Sequence, residues 1–567
     1  WFSAVEGEVY AMSSLFTAAI FWAIMKWDEE MMEIKHGLNP IGYSPDRWLL
    51  LIMFLLGLAI GVHLLGILVV PAIAYVIYFR YEKTVNWKGF FGVGILGVII
   101  LGFIQVGVIS GSISIASMFE VGFVKTLGLP FYSGTIFFFI ALIVGGVLAI
   151  KYARKKGYNI LYSATLGLIL LLIGYGSFAV IVIRSNANTP LDENDPENLV
   201  TLQAYLKREQ YGTAPITYGG YWNSKESGGE FEEGRWVSNK NTENWKDISP
   251  FYVRRFIVEK NGNVLKAFED ESRANTYAKN IPGSEVNEDY YESNKSTRTK
   301  SIATYSQNTI FPRMYMNNDP RRIQGYKAWS GYDANDGTPT EKGKDGKRLP
   351  SFGENMQFFT TYQVNWMYWR YFMWNFSGRQ NDIQNTTGNQ MQGNWITGFS
   401  AVDNARLGDQ AKSATYFTSS NPSNNKFFLL PLILGLIGLI FHFYKAPKDA
   451  FIISLLFLFT GVAIIVYLNP KPFEPRERDY AYAGSFYFFA MWIGVGAYAL
   501  YEAFKSFGKK ELMQIAIIGG AGLLVALFAD MGSDVSMPIS IMWLLILAIG
   551  GAGILFMIAI KKVLKTE

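Results

Sequence analysis

The chain has 567 residues, of which 50% are hydrophobic and only 17% charged, and it carries 42 Phe, 33 Tyr and 15 Trp. That mixture lies outside the range usual for soluble domains, and a net charge of +5 is too small at this length to point to a nucleic-acid partner. The absence of cysteine excludes disulfides and thiolate metal sites, so any secreted portion must be held by core packing.

The sequence opens at Trp1 in a helical pattern with no initiator Met or signal peptide, which reads as a piece of a longer protein. A helix needs about 20 apolar residues to cross a hydrocarbon core of roughly 30 Å. Stretches of that kind fall at 5–25, 89–109, 132–150, 160–183, 427–444, 450–468, 481–504, 513–529 and 539–560. The stretch 47–80 would be about 50 Å long as one helix, too long for an ordinary crossing. With Gly61, His63 and Gly66 near its middle and Pro71 further on, two shorter helices, 47–62 and 66–80, are expected to meet near His63. The count is then about eleven crossings.

Charge tests the count, since cytoplasmic loops carry an excess of Lys and Arg. Arg80, Lys83 and Lys88, then Lys151, Arg154, Lys155 and Lys156, then Lys445 and Lys448, all fall on one side. Lys505, Lys509 and Lys510 and the tail with Lys561, Lys562 and Lys565 join them. The opposite, outer side receives Trp1, His63, 110–131, 184–425, 469–480 and 530–538. In the inner loop 26–46, Asp28, Glu29, Glu30 and Glu33 offset the basic residues. The resulting division is 1–183, first membrane helices; 184–425, an extracytoplasmic insert; and 426–567, C-terminal membrane helices.

The insert begins with a helix expected to take Asp195 as N-cap and Pro196 in its first turn, with a stripe of Leu199, Leu202, Tyr205 and Leu206 ended by Gly212. Residues 213–350 alternate short aromatic or β-branched runs, such as Phe251 to Val258, with Gly, Asn and Asp turns, and predict mixed strands and loops. The Gly- and Lys-rich stretch 332–348 reads as a mobile loop. Between 362 and 376, Tyr362, Trp366, Trp369 and Met373 recur at helical spacing, with Arg370 among them. One reading is an interfacial or core helix; the other is an aromatic wall for sugar or acceptor, with Arg370 and Arg379 near an anionic group.

Three charged places fall at the expected outer boundary. Glu6 and Glu8 open the first helix, where acids complement the helix dipole or act as a base on an acceptor hydroxyl. His63 lies at the helix break, either satisfied by the break itself or available for catalysis or ligand binding. The run Pro472-Phe473-Glu474-Pro475-Arg476-Glu477-Arg478-Asp479-Tyr480 packs four alternating charges against an apolar helix. Arginine binds phosphate oxygens through a bidentate fork, so Arg476 and Arg478, oriented by Glu477 and Asp479, suit a phosphate; a salt-bridged anchor is the alternative. No Walker loop, dinucleotide fingerprint, zinc signature or serine-hydrolase pattern occurs, so no cofactor is expected, and this fits a substrate that is not a nucleotide sugar.

The runs Glu6-Gly7-Glu8-Val9-Tyr10-Ala11-Met12, Gly61-Val62-His63-Leu64-Leu65, Met367-Tyr368-Trp369-Arg370-Tyr371-Phe372 and Arg476-Glu477-Arg478-Asp479-Tyr480, with Asp192 to Glu197 and Tyr205 to Gly212, resemble a bacterial membrane family of protein O-mannosyltransferase-like proteins. That family is similar to the GT-C superfamily, and the resemblance implies an all-α polytopic membrane protein with a mixed α/β extracytoplasmic insert. It implies transfer of a sugar, mannose by default, from a polyprenyl-phosphate carrier to Ser or Thr of periplasmic proteins at the bacterial inner membrane. Glu6, Glu8 and His63 would be catalytic, and Arg476, Arg478, Glu477, Asp479, Tyr480, Trp369 and Arg370 would bind substrate. The partners are then membrane lipid, the lipid-linked sugar and an acceptor protein, and the chemistry leaves room for a divalent metal. The first extracytoplasmic loop of GT-C folds, with its usual carboxylate, would precede Trp1. The rival reading is a non-catalytic subunit of an envelope or secretion assembly that docks through the insert.

Overall fold

The computed structural model describes residues 9–38, 44–82, 84–187, 189–192, 196–207, 214–231, 236–239, 244–247, 252–260, 263–268, 271–292 and 301–506, with positions 508, 513, 517 and 520. Glu6, Glu8 and the expected spans 513–529 and 539–560 lie outside this set or nearly so. The chain is mostly helical with a few small sheets, and it divides into two compact units, one of residues 11–359 and one of 1–10 with 360–567. Among the described residues six helices are long and apolar enough to cross a membrane: Leu64–Tyr81, Trp87–Leu127, Ser133–Lys156, Asn159–Ser185, Pro447–Leu468 and Asp479–Lys505.

In the N-terminal unit, helix α1 (Tyr10–Lys35) runs on through residues expected as a loop. Its acids are neutralised by basic residues from the next elements: Glu30 accepts from Arg47 at 2.5 Å and from Trp48 at 2.8 Å, and Asp28 pairs with Arg80. These pairs draw the ends of α1, α2 (Asp46–Val62) and α3 (Val70–Tyr81) together.

The break at His63 is present. Its backbone is extended (φ −163°, ψ 139°), ending α2, and a short 3-10 turn, Leu64–Val69, leads into α3, with Pro71 in the first turn. Proline has no N–H to lose there and its φ suits a helix start. The sequence expects a span at 89–109 and a loop at 110–131, yet α4 (Trp87–Leu127) continues through 110–127 as one helix of 41 residues. A π-helical stretch, Phe103–Gly111, lies in its middle. Helices α5 (Ser133–Lys156) and α6 (Asn159–Ser185) follow. α2 and α6 cross where neither has a side chain: a Cβ on Gly57 would lie 2.1 Å from Leu171 O, and one on Gly174 would lie 2.5 Å from Phe54 O.

The helix α7 (Leu199–Leu206) starts later than expected, because Asn198, not Asp195, is the N-cap. The Asn198 side chain accepts from Val200 N and Thr201 N, and the Thr201 hydroxyl accepts from Asn198 N, which closes a capping box. Beyond it, strand Tyr252–Lys260 falls where the aromatic and β-branched run predicts one. It is the centre of a three-stranded antiparallel sheet with Asn263–Phe268 and Glu285–Glu292. Helix α8 (Glu271–Lys279) covers this sheet over a small core of Phe256, Val258 and Ala274. The stretch 332–348, read as a mobile loop, is anchored at its end. Arg348 grips Glu354 through two bonds of 2.9 and 2.6 Å, lies 4.6 Å over the Tyr332 ring and gives its carbonyl to Tyr332 and Asn223.

In the C-terminal unit, α10 (Leu430–Lys445), α11 (Pro447–Leu468) and α12 (Ala483–Ser506) surround an aromatic core of Phe372, Phe376, Phe457, Phe489 and Trp492. They follow the short helix α9 (Arg370–Phe376). Tyr368 and Ser485 share a bond of 2.7 Å in this core, and Ser485 donates to Phe457 O. α10 and α12 touch backbone to backbone at Gly438 and Gly496.

Candidate functional site

The aromatic stretch before α9 is helical, but its pitch differs from the expected one. Residues Phe359–Trp369 form a π-helix, in which each turn takes up roughly one residue more than an α turn. The expected stripe of Tyr362, Trp366, Trp369 and Met373 is therefore split: Tyr362 and Met373 are buried, whereas Trp369 is 41% exposed, stacked on Phe372 at 5.1 Å.

The same geometry carries Arg370 inward to 2% exposure. Its guanidinium lies 4.2 Å from the Trp366 ring centre, 4.7 Å from Tyr371 and 4.8 Å from Trp374. It donates to Trp366 O at 3.0 Å and Gly393 O at 2.8 Å, and clasps Glu477 through two bonds of 3.2 and 2.6 Å. The Tyr371 hydroxyl also donates to Glu477, and Asn385 N donates at 3.1 Å. Arg478 N in turn donates to the Tyr371 oxygen at 3.2 Å.

Both charges persist at neutral pH. Burial raises the Glu477 carboxyl, but Arg370, the Tyr371 hydroxyl and the Asn385 N–H outweigh it and hold the group below the ordinary carboxylate range. Burial would lower the Arg370 guanidinium, and Tyr371 and Glu477 reverse this. Arg379, 3.9 Å over the Trp374 ring, is lowered by burial and only partly restored by Asp479 and Glu477. The anionic group near Arg370 is thus the protein's own Glu477.

The loop that presents Glu477 is pinned before and after it. Tyr362 donates to Lys471 O at 2.9 Å, and Gln363 donates to Asn469 at 2.9 Å and Pro470 O at 2.8 Å. Gln384 donates to Glu474 O at 2.8 Å. Asn469 and Phe473 take positive φ (43° and 59°), which turns the chain sharply between α11 and α12. The alternating charges then point to different places. Glu477 faces inward; Arg478 is 33% exposed, giving Nη2 to the buried Glu474 at 2.6 Å while its Nε–H has no hydrogen-bond partner. Arg476 is exposed, its guanidinium 5.0 Å from the Tyr480 ring. Asp479 opens the helical turn Asp479–Tyr482, where an acid complements the helix N-terminus.

The structure therefore brings together Arg370, Arg476, Glu477, Arg478, Asp479 and Tyr480, with Trp369 on the outer side of the same segment. Residues missed by sequence reasoning are Tyr371 and Asn385, whose partner Glu477 lies far off along the chain, and Glu474, which pairs with Arg478 only four residues on. His63 belongs to the N-terminal unit, where its Nδ1 accepts from Leu65 N at 3.2 Å and caps the 3-10 turn. Glu6 and Glu8 lie outside the described residues. Among the described residues no cluster of His, Asp and Glu could hold a metal ion.

Fold and site together define a multi-pass, mostly helical membrane protein with a buried ionic network beside an arginine-bearing loop. Residues 1–86 match the model of the protein O-mannosyl-transferase TMEM260 N-terminal domain, and residues 247–360 match that of a family of unknown function, DUF8416. The second match covers the three-stranded sheet, α8 and the Arg348–Glu354 anchor. No curated protein and no solved structure matches the chain.

Proposed function

We propose that the chain is a membrane glycosyltransferase of GT-C type that moves a sugar, mannose as the first expectation, from a polyprenyl-phosphate carrier to Ser or Thr of periplasmic proteins. The observation that carries this reading is the match of residues 1–86 to an O-mannosyl-transferase domain. The loop 470–482 supports it. Arg476, exposed, and Arg478, 33% exposed, stand just before a membrane-length helix, where a lipid phosphate would lie, and guanidinium suits its oxygens. In this reading Glu6 or Glu8 takes the acceptor proton, and the exposed Trp369 offers a ring face to sugar or acceptor. Arg370 and Glu477 hold the loop.

The test is transfer of labelled mannose from polyprenyl-phosphate-mannose to a periplasmic acceptor by protein in lipid nanodiscs. Arg476→Ala is expected to weaken donor use about ten- to hundredfold, the effect of one hydrogen bond to a charged group. Arg476→Lys should rescue it partly, since charge remains and the fork is lost. No transfer by the unmodified chain from any polyprenyl-phosphate sugar would refute the reading and favour the docking subunit. Normal activity per folded molecule in Arg476→Ala and Arg478→Ala would remove the phosphate role.

The same reading has eleven crossings in the bacterial inner membrane, with 184–425 periplasmic. A reporter fused at position 340 and active only outside the cytoplasm should give signal; a reporter active only inside should be silent there.

A further inference from the structure

In the N-terminal unit α4, α5 and α6 flank an apolar groove of about 760 Å³. Its walls are Phe138, Leu142, Ile143 and Val147 of α5 against Ile169 and Ile173 of α6. Its carboxylates gather at one end with most of its polar groups: Glu120, Tyr132 and Thr135 where α5 begins, and Asn186 and Glu197 after α6 ends; Ser112 and Tyr175, further along, give their hydroxyls to Val108 O and Ile109 O. From Thr135 to Val147 the groove follows α5 for about 18 Å at 1.5 Å per residue. A polar mouth over a long dry channel is the shape of an amphiphile.

The mouth has a definite charge. Glu120 and Glu197 line it, and no Lys or Arg lines any part of the groove among the described residues. An anionic head group would sit beside carboxylates at the membrane boundary, where repulsion is weakly screened. Glu120 is 3% exposed, and its bonds leave a vacancy of known chemistry. Oε1 accepts from Tyr132 N at 2.7 Å, and Oε2 accepts from Thr135 N at 2.9 Å and Thr135 Oγ1 at 3.0 Å. Each carboxyl oxygen can accept more than one hydrogen bond, so Oε1, with Tyr132 N alone, has room for a further donor.

We propose that this groove holds one membrane lipid with a primary-amine head group, its ammonium donating to Glu120 Oε1 and one hydrocarbon chain lying along α5 and α6. The phosphate of such a lipid points away from the carboxylates to water. The site is separate from the donor-phosphate loop and does not depend on glycosyl transfer.

Native mass spectrometry of the delipidated full chain tests this with phosphatidylethanolamine, phosphatidylglycerol and phosphatidylcholine of identical acyl chains, and with polyprenyl phosphate. Phosphatidylethanolamine should be retained about tenfold more tightly than the others, the effect of one hydrogen bond to a charged group. Glu120→Gln should shrink that preference to about twofold or less, and Leu142→Trp, which fills the channel, should reduce retention of every lipid. Equal retention of all head groups by the unmodified chain, tighter binding of phosphatidylglycerol or polyprenyl phosphate, or unchanged retention in Leu142→Trp would overturn the proposal. The ranking in the unmodified chain needs no variant to fold.

Discussion

Arg370→Met is expected to destabilise the C-terminal unit by about 3–5 kcal/mol, because it strands a carboxylate that has been taken out of water. Glu477 would keep Tyr371 and Asn385 N as donors but lose both guanidinium bonds. Arg370→Lys should recover only part of the loss, since one ammonium cannot reproduce the fork or the packing between Trp366 and Trp374. The double change Arg370→Met with Glu477→Leu should be milder than Arg370→Met alone, because it removes the orphaned charge with its partner. Unfolding in mixed micelles followed by tryptophan fluorescence measures these proteins together with the unmodified chain and Glu477→Leu alone. A double variant that is the sum of its single changes would show that the pair is not coupled.

The pair also has a pH signature. The Glu477 carboxyl is held below its ordinary value in the folded state, so its contribution is complete above the unfolded value of about 4.3. That contribution fades as pH falls through the lower folded value. Glu477→Gln should therefore be less stable than the unmodified chain at neutral pH, with a shallower loss of stability below about pH 4.

The second large effect is expected at Gly438. A Cβ there would lie 1.9 Å from Trp492 O and 2.6 Å from Gly496 N, and its counterpart on Gly496 would lie 2.0 Å from Leu434 O. These are backbone atoms, which no rotamer change can move aside. Gly438→Leu must push α10 and α12 apart and unpack Trp492, Phe489 and Phe457, a change expected at about 3 kcal/mol or above. Gly494, on α12, has nothing within 4 Å of a built Cβ, and Gly494→Leu is the matched control, expected within about 0.5 kcal/mol of the unmodified chain. Size-exclusion profile and unfolding midpoint report both. A well-folded Gly438→Leu protein with an unchanged midpoint would mean that the close crossing is not required.

What could be read from sequence was what local chemistry decides. The His63 break follows from Gly61, Gly66 and Pro71 within a few residues, and the strand at 252–260 follows from its own β-branched run. The membrane helices follow from apolar length alone. What could not be read depends on partners distant in the chain. Arg370 and Glu477 are 107 residues apart, so the run at 476–479 reads as a uniform charged patch until folding turns one member inward and leaves its neighbours outside. The α7 cap was misplaced because Asp195 and Asn198 are both good caps, and only the box with Thr201 decides between them. The π-helical pitch has no simple residue signal, so helical spacing alone does not show that Tyr362 and Met373 are buried while Trp369 is exposed.

That pitch makes residues 359–369 a store of slack in the chain. Its wider turns take up residues that an α pitch would carry further round the axis, so a residue lost there is absorbed by relaxation toward the α pitch, with Arg370 still aimed at Glu477. Composition is held more tightly than number, because Tyr362, Gln363 and Tyr368 each bond a residue more than a hundred positions further on.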